Sequence, residues 1–413
     1  MLSFKQISAI VPIASSPFYL CDDQRFAANF DRIATAFASQ WPNFILAYSY
    51  KTNYIPYLCK IIKDKGGWAE VVSRLEYDLA IKVGQSPAKI IFNGPVKSED
   101  DIALAINNGS IVNVDSMDEL NRIVQFAQQN PDKQIPIGLR INMGLTDSGG
   151  ASQIQNHLPV SRFGFDPINL SSDICHLISR NNLKVISLHG HTSTAGRSLA
   201  CYQTIAQTLC GIAETYFPDT VEYINVGGGI FGHVPECMGF GDVPAVDQYA
   251  RTIADVLHQS PWAAAKKPAL VLEPGIAMVA DVLTLITKVV AVKTIKDKTL
   301  VTVDGSIFHA KPTMHTRNQP WECVAKDDAG RPESTFSVVG STCMEKDYLL
   351  TEVTGPLPQA GDYIAIGQAG AYSVVMTPPF IHPAPAIVVP HGENFKLIRS
   401  RQLLDDMFRN YSF

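Results

Sequence analysis

Eight short apolar runs, spread over residues 44–272, constrain this chain more than any other feature. They fall at 44–49, 68–72, 89–92, 110–114, 135–141, 184–188, 221–226 and 269–272. Most are separated by helical patterning, as in Ser73-Arg-Leu-Glu-Tyr-Asp-Leu-Ala-Ile-Lys82 and Ser116-Met-Asp-Glu-Leu-Asn-Arg-Ile-Val124. Ser73 and Ser116 suit helix N-caps, and Ser116 with Glu119 fits a capping box. Eight strand–helix units over about 230 residues match an α/β fold, the (β/α)8 TIM-type barrel, whose working residues sit at the C-terminal strand ends. A doubly wound open sheet is the rival, because periodicity does not show closure.

After Glu273 the texture changes. The stretches 282–294, 299–303, 337–339, 348–351, 362–367 and 386–389 are rich in β-branched residues and broken by Gly, Pro and Asp turns. This predicts a C-terminal, mostly antiparallel β domain over 277–413, a barrel over 23–276, and an N-terminal segment 1–22 that adds a strand to the β domain. With 413 residues, 46 % hydrophobic and 18 % charged, the chain has the composition of an ordinary globular protein. A net charge of −5 without a polybasic run gives no reason to expect nucleic acid. No run of about 18 apolar residues predicts a membrane span, and Met1-Leu-Ser-Phe-Lys-Gln-Ile7 lacks a secretory core. Eight cysteines without a CxxC pair read as reduced thiols, so the expected location is cytoplasmic.

The strand ends carry the chemistry. The first run ends in Tyr48-Ser-Tyr-Lys51-Thr-Asn53. A lysine at the end of a buried strand either snorkels or, desolvated, offers a neutral amine that forms a Schiff base with an aldehyde. The sixth run ends in His189-Gly-His191-Thr-Ser-Thr194. Its alternate imidazoles share one side of an extended chain, but no carboxylate or cysteine stands nearby to complete a metal set, and no metal is expected. A flat imidazole stacks instead on a flat ring. The seventh run ends in Gly227-Gly228-Gly229, where backbone amides can approach a phosphate. The eighth ends in Glu273-Pro274-Gly275, and a glutamate facing a pyridine nitrogen keeps that nitrogen protonated. Lysine for an aldehyde, histidine for a ring face, glycines for a phosphate and glutamate for a pyridine nitrogen together describe pyridoxal 5'-phosphate.

With these motifs in place, the chain resembles the barrel-fold (fold-type III) pyridoxal-phosphate-dependent amino-acid decarboxylases, which include diaminopimelate and ornithine decarboxylases. The resemblance runs from Ser16-Pro-Phe-Tyr-Leu-Cys-Asp22 through Glu70-Val-Val-Ser73, Asn113-Val-Asp-Ser-Met-Asp-Glu119, Leu139-Arg140-Ile-Asn142 and Ser161-Arg-Phe-Gly164. It continues to Gly340-Ser-Thr-Cys343-Met-Glu-Lys-Asp347 and Gly370-Ala-Tyr372. It implies an alanine-racemase-like two-domain architecture and an α-decarboxylase. Lys51 would bind the cofactor aldehyde, and His191 would stack on its ring. Thr194, Gly228 and Gly229 would hold the phosphate, which Tyr372 would also reach, Gly275 would be a further cofactor-binding residue, and Glu273 would pair with the pyridine nitrogen. Cys343, the second catalytic residue, would come from the other subunit of a homodimer and protonate the product carbon; a buried apolar thiol is the plainer alternative.

The sequence also departs from that family. Ile276 stands where arginine usually follows Glu-Pro-Gly, and Lys311-Pro312 replaces an Arg-Pro segment. His315 takes the place of a common tyrosine. After the cysteine, Met344 replaces the acidic residue that pairs with a distal ammonium, and Glu345 lies one place later. Lys311, His315, Met344 and Glu345 are therefore the expected substrate-binding residues. The expected substrate is a diamino acid or a distally modified derivative, in polyamine, siderophore or lysine-type metabolism. An amino-acid racemase and a non-catalytic cofactor-binding protein are the alternatives; Glu273 speaks against the first, Cys343 and the second domain against the other.

Overall fold

The first strand, β1 (Phe18–Cys21), lies outside the barrel. The structure, a computed structural model, describes residues 2–146, 149–155, 158–170, 173–194, 196–327 and 330–412. The chain divides into two compact units, one of Ala27–Gly232 with Val243–Ala277, the other of Met1–Phe26, His233–Asp242 and Met278–Phe413.

In the first unit, β2 (Phe44–Ser49), β3 (Trp68–Val71), β4 (Ile90–Phe92), β5 (Ile111–Val114), β6 (Ile135–Arg140), β7 (Leu183–His189), β8 (Tyr223–Asn225) and β9 (Ala269–Leu272) form a closed barrel. Every pairing is parallel, and β2 meets β9 with Phe44 opposite Leu270 and Leu46 opposite Leu272. Closure excludes the open sheet. Inside, Ala47, Ile91, Ile111 and Val271 form a buried apolar cluster. At the C-terminal ends the residue type switches: Glu70, Asn93, Asn113, Arg140, His189, Asn225 and Glu273 are all buried. Buried polar groups need partners, and apart from Asn113 Oδ1, Arg140 Nε and His189 Nδ1 these residues find them at that end of the barrel.

The helix caps follow the sequence with one difference. Ser73 accepts from the Glu76 amide and Ser116 from the Glu119 amide, at 3.3 Å each. The Glu119 carboxylate does not return to Ser116, so the expected box is half formed. Instead it accepts from the Asp115 amide at 2.7 Å and pairs with Lys97 at 2.9 Å.

The second unit is a nine-stranded sheet of β1 with β10 (Leu283–Ile295), β11 (Lys298–Val303), β12 (Trp321–Val324), β13 (Glu333–Val339), β14 (Tyr348–Pro356), β15 (Tyr363–Ile366), β16 (Ala386–His391) and β17 (Asn394–Arg399). All pairings are antiparallel except β1 with β16 and β11 with β13. Residues 233–242, inside the barrel segment by sequence, group with this unit. The N-terminal segment also holds a helix, Phe4–Ala14, opened by a Ser3–Gln6 capping box and buried through Ile7, Ile10 and Ala14 against Phe18, Ile286 and Val388.

One loop of this unit is clamped at both ends. Asp347 accepts from the Ile307 amide at 2.7 Å and the Thr342 amide at 3.0 Å, and the Gly340 amide reaches the Asp347 carbonyl at 2.8 Å. A Cβ at Gly340 would lie 2.3 Å from the Asp347 carboxylate, so glycine is required there. Asp347→Ala would strand both amides without an acceptor. We expect it to destabilise this unit by about 2 kcal/mol or more, read as a lowered melting temperature; melting unchanged from the parent would show that the clamp carries no such load.

Candidate active site

Lys51 follows β2 in the single turn Tyr50–Thr52, at the C-terminal end of the barrel. Register places Ser49 opposite Glu70 on β3, and Lys51 Nζ donates to both, at 2.9 Å to Ser49 Oγ and 2.6 Å to Glu70 Oε2. The sequence reading rested on desolvation; the structure instead pairs the ammonium with a buried carboxylate.

Glu273 follows β9 and is the centre of the arrangement. Its Oε1 accepts from Asn225 Nδ2 at 2.7 Å and Asn93 Nδ2 at 2.9 Å, and its Oε2 lies 3.1 Å from His189 Nε2. Burial alone would raise its pKa. His189 first, then Lys51 and Asn225, outweigh that and hold the carboxyl well below the ordinary range. Asn93 also donates to Glu70 Oε1 at 3.0 Å, so a single amide bridges the two carboxylates.

The two imidazoles of the His-x-His segment are nearly parallel, 17° apart with centroids at 6.4 Å, as an extended chain with alternate residues on one side requires. The first meets Glu273. The second, His191, accepts from the Gly228 amide through Nδ1 at 3.3 Å. Burial, reinforced by Lys51 and Arg140, pushes the His191 pKa down to about 3, so the ring is neutral near pH 7. Among the described residues no group of three or more His, Cys, Asp or Glu is placed to hold a metal.

Behind these groups the glycine turn packs closely. A Cβ at Gly228 would sit 2.0 Å from the Glu273 carbonyl oxygen, and one at Gly227 2.5 Å from His191 Cβ. The Gly228 carbonyl accepts from Tyr202 at 2.7 Å. Thr194 is buried and accepts from the Arg197 amide at 3.1 Å; the Arg197 guanidinium lies 4.7 Å from the Phe231 ring, just beyond the glycines. Gly275 lies against Thr52, beside Lys51, where a Cβ would come within 2.0 Å of Thr52 Oγ1.

An ionised carboxylate, a neutral imidazole face, a lysine and a glycine turn free of side chains suit a flat phosphorylated pyridine aldehyde. The chain matches the family model described as "Pyridoxal-dependent decarboxylase, pyridoxal binding domain" over residues 27–280. The chain belongs to this family. It is a pyridoxal-phosphate-dependent decarboxylase, a carboxy-lyase that acts on an amino acid.

Relatives span nearly its whole length. It is 28 % identical to the L-glutamyl-[BtrI acyl-carrier protein] decarboxylase of Niallia circulans, over 97 % of this chain and 95 % of that one. It is 25 % identical to the diaminopimelate decarboxylase of Aquifex aeolicus, over 94 % of this chain and 90 % of that one. Its fold is shared with the diaminopimelate decarboxylase of Helicobacter pylori, solved with L-lysine, at a TM-score of 0.84 and 24 % identity over 98 % of each chain. Among the described residues no helix of the decarboxylase is long and apolar enough to cross a membrane.

The remaining predicted residues lie in the β unit. Cys343 and Glu345 are exposed on the clamped loop, and Met344 is half-buried there. Lys311 is buried with Nζ donating to the Arg317 carbonyl at 3.3 Å; burial lowers its pKa, and burial beside Lys311 lowers that of His315. Tyr372 has a left-handed backbone (φ 61°) before the short helix Ser373–Met376. Sequence reasoning gave no role to Glu70, Asn93, Asn225 or Arg140, and considered His189 as a metal ligand. The signal was a polar residue within or just after an apolar run: Glu70 and Asn225 lie inside theirs, and Asn93 follows Phe92.

Proposed function

We propose that the decarboxylase removes the α-carboxylate of an amino acid whose distal end is modified or acidic, within a homodimer in which Cys343 of the partner subunit completes each site. The observation that carries the reading is Glu273, a buried carboxylate kept ionised at the barrel mouth by three donors. When bound, pyridoxal phosphate supplies an electron sink for the pair left on Cα as CO2 departs. Glu273 holds a proton at the ring nitrogen. Asn93, Asn225 and His189 fix the direction of its oxygens. His191 covers one ring face and, being neutral, adds no competing charge. Lys51 would hold the cofactor at its aldehyde, and Glu70, 2.6 Å from Lys51 Nζ, is placed to take a proton from that ammonium. Gly228, Gly229, Thr194 and Tyr372 would serve the phosphate, with Gly275 beside Thr52 as a further cofactor-binding residue. The substrate carboxylate must be held perpendicular to the ring, and Cys343 of the partner subunit then returns a proton to Cα.

The substrate end rests on the β unit. Met344 cannot pair with a terminal ammonium, whereas Lys311 is buried and, among the described residues, has no carboxylate partner. A distal carboxylate or acyl group suits that pair better than a free amine. By its name, the Niallia circulans relative acts on a glutamyl group borne by a carrier protein, which supports the same direction. The eight cysteines are all unbridged, which supports a reducing compartment such as the cytoplasm.

Glu273→Gln is expected to retain cofactor and to slow decarboxylation by several orders of magnitude, each tenfold step being about 1.4 kcal/mol of barrier. Near-normal turnover would remove Glu273 from the ring nitrogen. Mixing inactive Lys51→Ala and Cys343→Ala chains should restore one complete site per heterodimer; mixed dimers without rescue would refute the shared site. A panel of amino acids read by CO2 release should show poor turnover of ornithine, lysine and diaminopimelate, with Met344→Asp gaining on them. Efficient turnover of any of the three by the parent would overturn the substrate reading.

A further inference from the structure

Four residues after Asn93, Lys97 is buried to 0 % side-chain exposure, yet it is a cation. Its Nζ donates to the Gly94 carbonyl at 2.6 Å and pairs with Glu119 Oε1 at 2.9 Å, itself only 3 % exposed. The other oxygen of Glu119 accepts the Asp115 amide at 2.7 Å. Asp115 Oδ1 in turn binds Arg140 Nη1 at 3.0 Å, and Arg140 Nη2 donates to the His191 carbonyl at 3.4 Å while stacking on Phe163 at 4.2 Å. One carboxylate therefore grips the loop after β4, which carries Asn93, and the loop after β5, which carries Asp115.

A buried ion pair is a poor stabiliser, because desolvating both charges offsets most of their attraction and apolar side chains would serve as well. Burial pushes the Lys97 pKa below its ordinary value, and Glu119 opposes the shift. What apolar side chains would not supply is direction. We propose that Lys97 and Glu119 are positioning residues of this active site, holding Asn93 between Glu70 and Glu273 and Asp115 against Arg140. The proposal rests on Glu273 serving the ring nitrogen and His191 the ring face.

The test compares cofactor-saturated Lys97→Met, Glu119→Gln and the double variant Lys97→Met/Glu119→Gln with the parent. Each single leaves a charge buried without its partner and should melt lower. The double removes both charges while its amide oxygen still accepts from Asp115, so its melting temperature should lie nearer the parent than either single. Its kcat should nevertheless stay down by about tenfold or more, with KM little changed and the absorbance of the bound chromophore shifted. A merely structural pair predicts that kcat and spectrum recover with the melting temperature, and that result overturns the proposal. Should none of these variants fold, Lys97→Arg decides: it keeps the charge but not both bonds of Nζ, and parental kcat and spectrum in it are equally fatal. Near-normal turnover in Glu273→Gln removes the underlying reading of the site; an impaired Glu273→Gln beside unimpaired Lys97 and Glu119 variants removes this inference alone.

Discussion

The structure turns on keeping one anion, Glu273, ionised where water does not reach. An isolated buried carboxylate neutralises itself by taking a proton, because its charged form is too costly in a low-dielectric interior. Glu273 escapes through three donors that come from three places in the barrel: His189 at the end of β7, Asn225 at the end of β8 and Asn93 just past β4. Asn93 and Glu273 are 180 positions apart in the chain, and barrel closure brings their side chains to 2.9 Å. In an open sheet, strands in these positions would have no common rim.

From that anion the rest of the site is held by shared partners. The amide of Asn93 reaches Glu70, and Glu70 holds Lys51, so a displacement of Asn93 is felt at both the carboxylate and the lysine. On the other side the Glu273 amide donates to the Gly227 carbonyl at 2.8 Å, and the Gly228 amide donates to His191. The glycine turn is thus fixed against the backbone of the very residue it serves, and a side chain at Gly228 would force the two apart. Distances among the groups are set by backbone contacts and short polar bonds, which leave less room for drift than long flexible side chains do.

Much of this was legible in sequence, and the boundary has a physical cause. The eight barrel strands stand out because parallel strands buried on both faces read as unbroken apolar runs. Lys51, His191, Gly228 and Glu273 stand out because each ends such a run with a residue of distinct chemistry. Asn93 follows a run and Asn225 lies next to the end of one, but an asparagine there has many uses, and its meaning lies in a partner far along the chain. Glu119 was legible as a cap and misread in one bond, since local spacing does not reveal that Lys97 competes for its carboxylate. In the β unit, β12 and β17 were missed. Their runs, Trp321-Glu-Cys-Val324 and Asn394-Phe-Lys-Leu-Ile-Arg399, are short, interrupted by charge and largely half-exposed or exposed. The helix Phe4–Ala14, with Pro12 in its last turn, was not anticipated in a segment expected only to add a strand, although its capping box was present in Ser3 and Gln6.

On the reading proposed above, substrate choice would turn on whether Met344 or Glu345 fills the place after Cys343, and the loop geometry bears on that directly. A one-residue slip would bring Glu345 into the place of Met344 and restore a partner for a distal ammonium. Met344 is tied on both sides of its backbone: its amide reaches Thr342 Oγ1 at 3.4 Å, and its carbonyl accepts from the Asp347 amide at 3.0 Å. Thr342 is itself bound to the Asp347 carboxylate, and that carboxylate also holds Ile307, outside the loop. Slipping the register would break these bonds together. Losing several partly buried hydrogen bonds at about 1 kcal/mol each is a cost that a single new ion pair on an exposed glutamate does not return. The clamp therefore favours Met344 at that position, with a thioether where an acid would have to be.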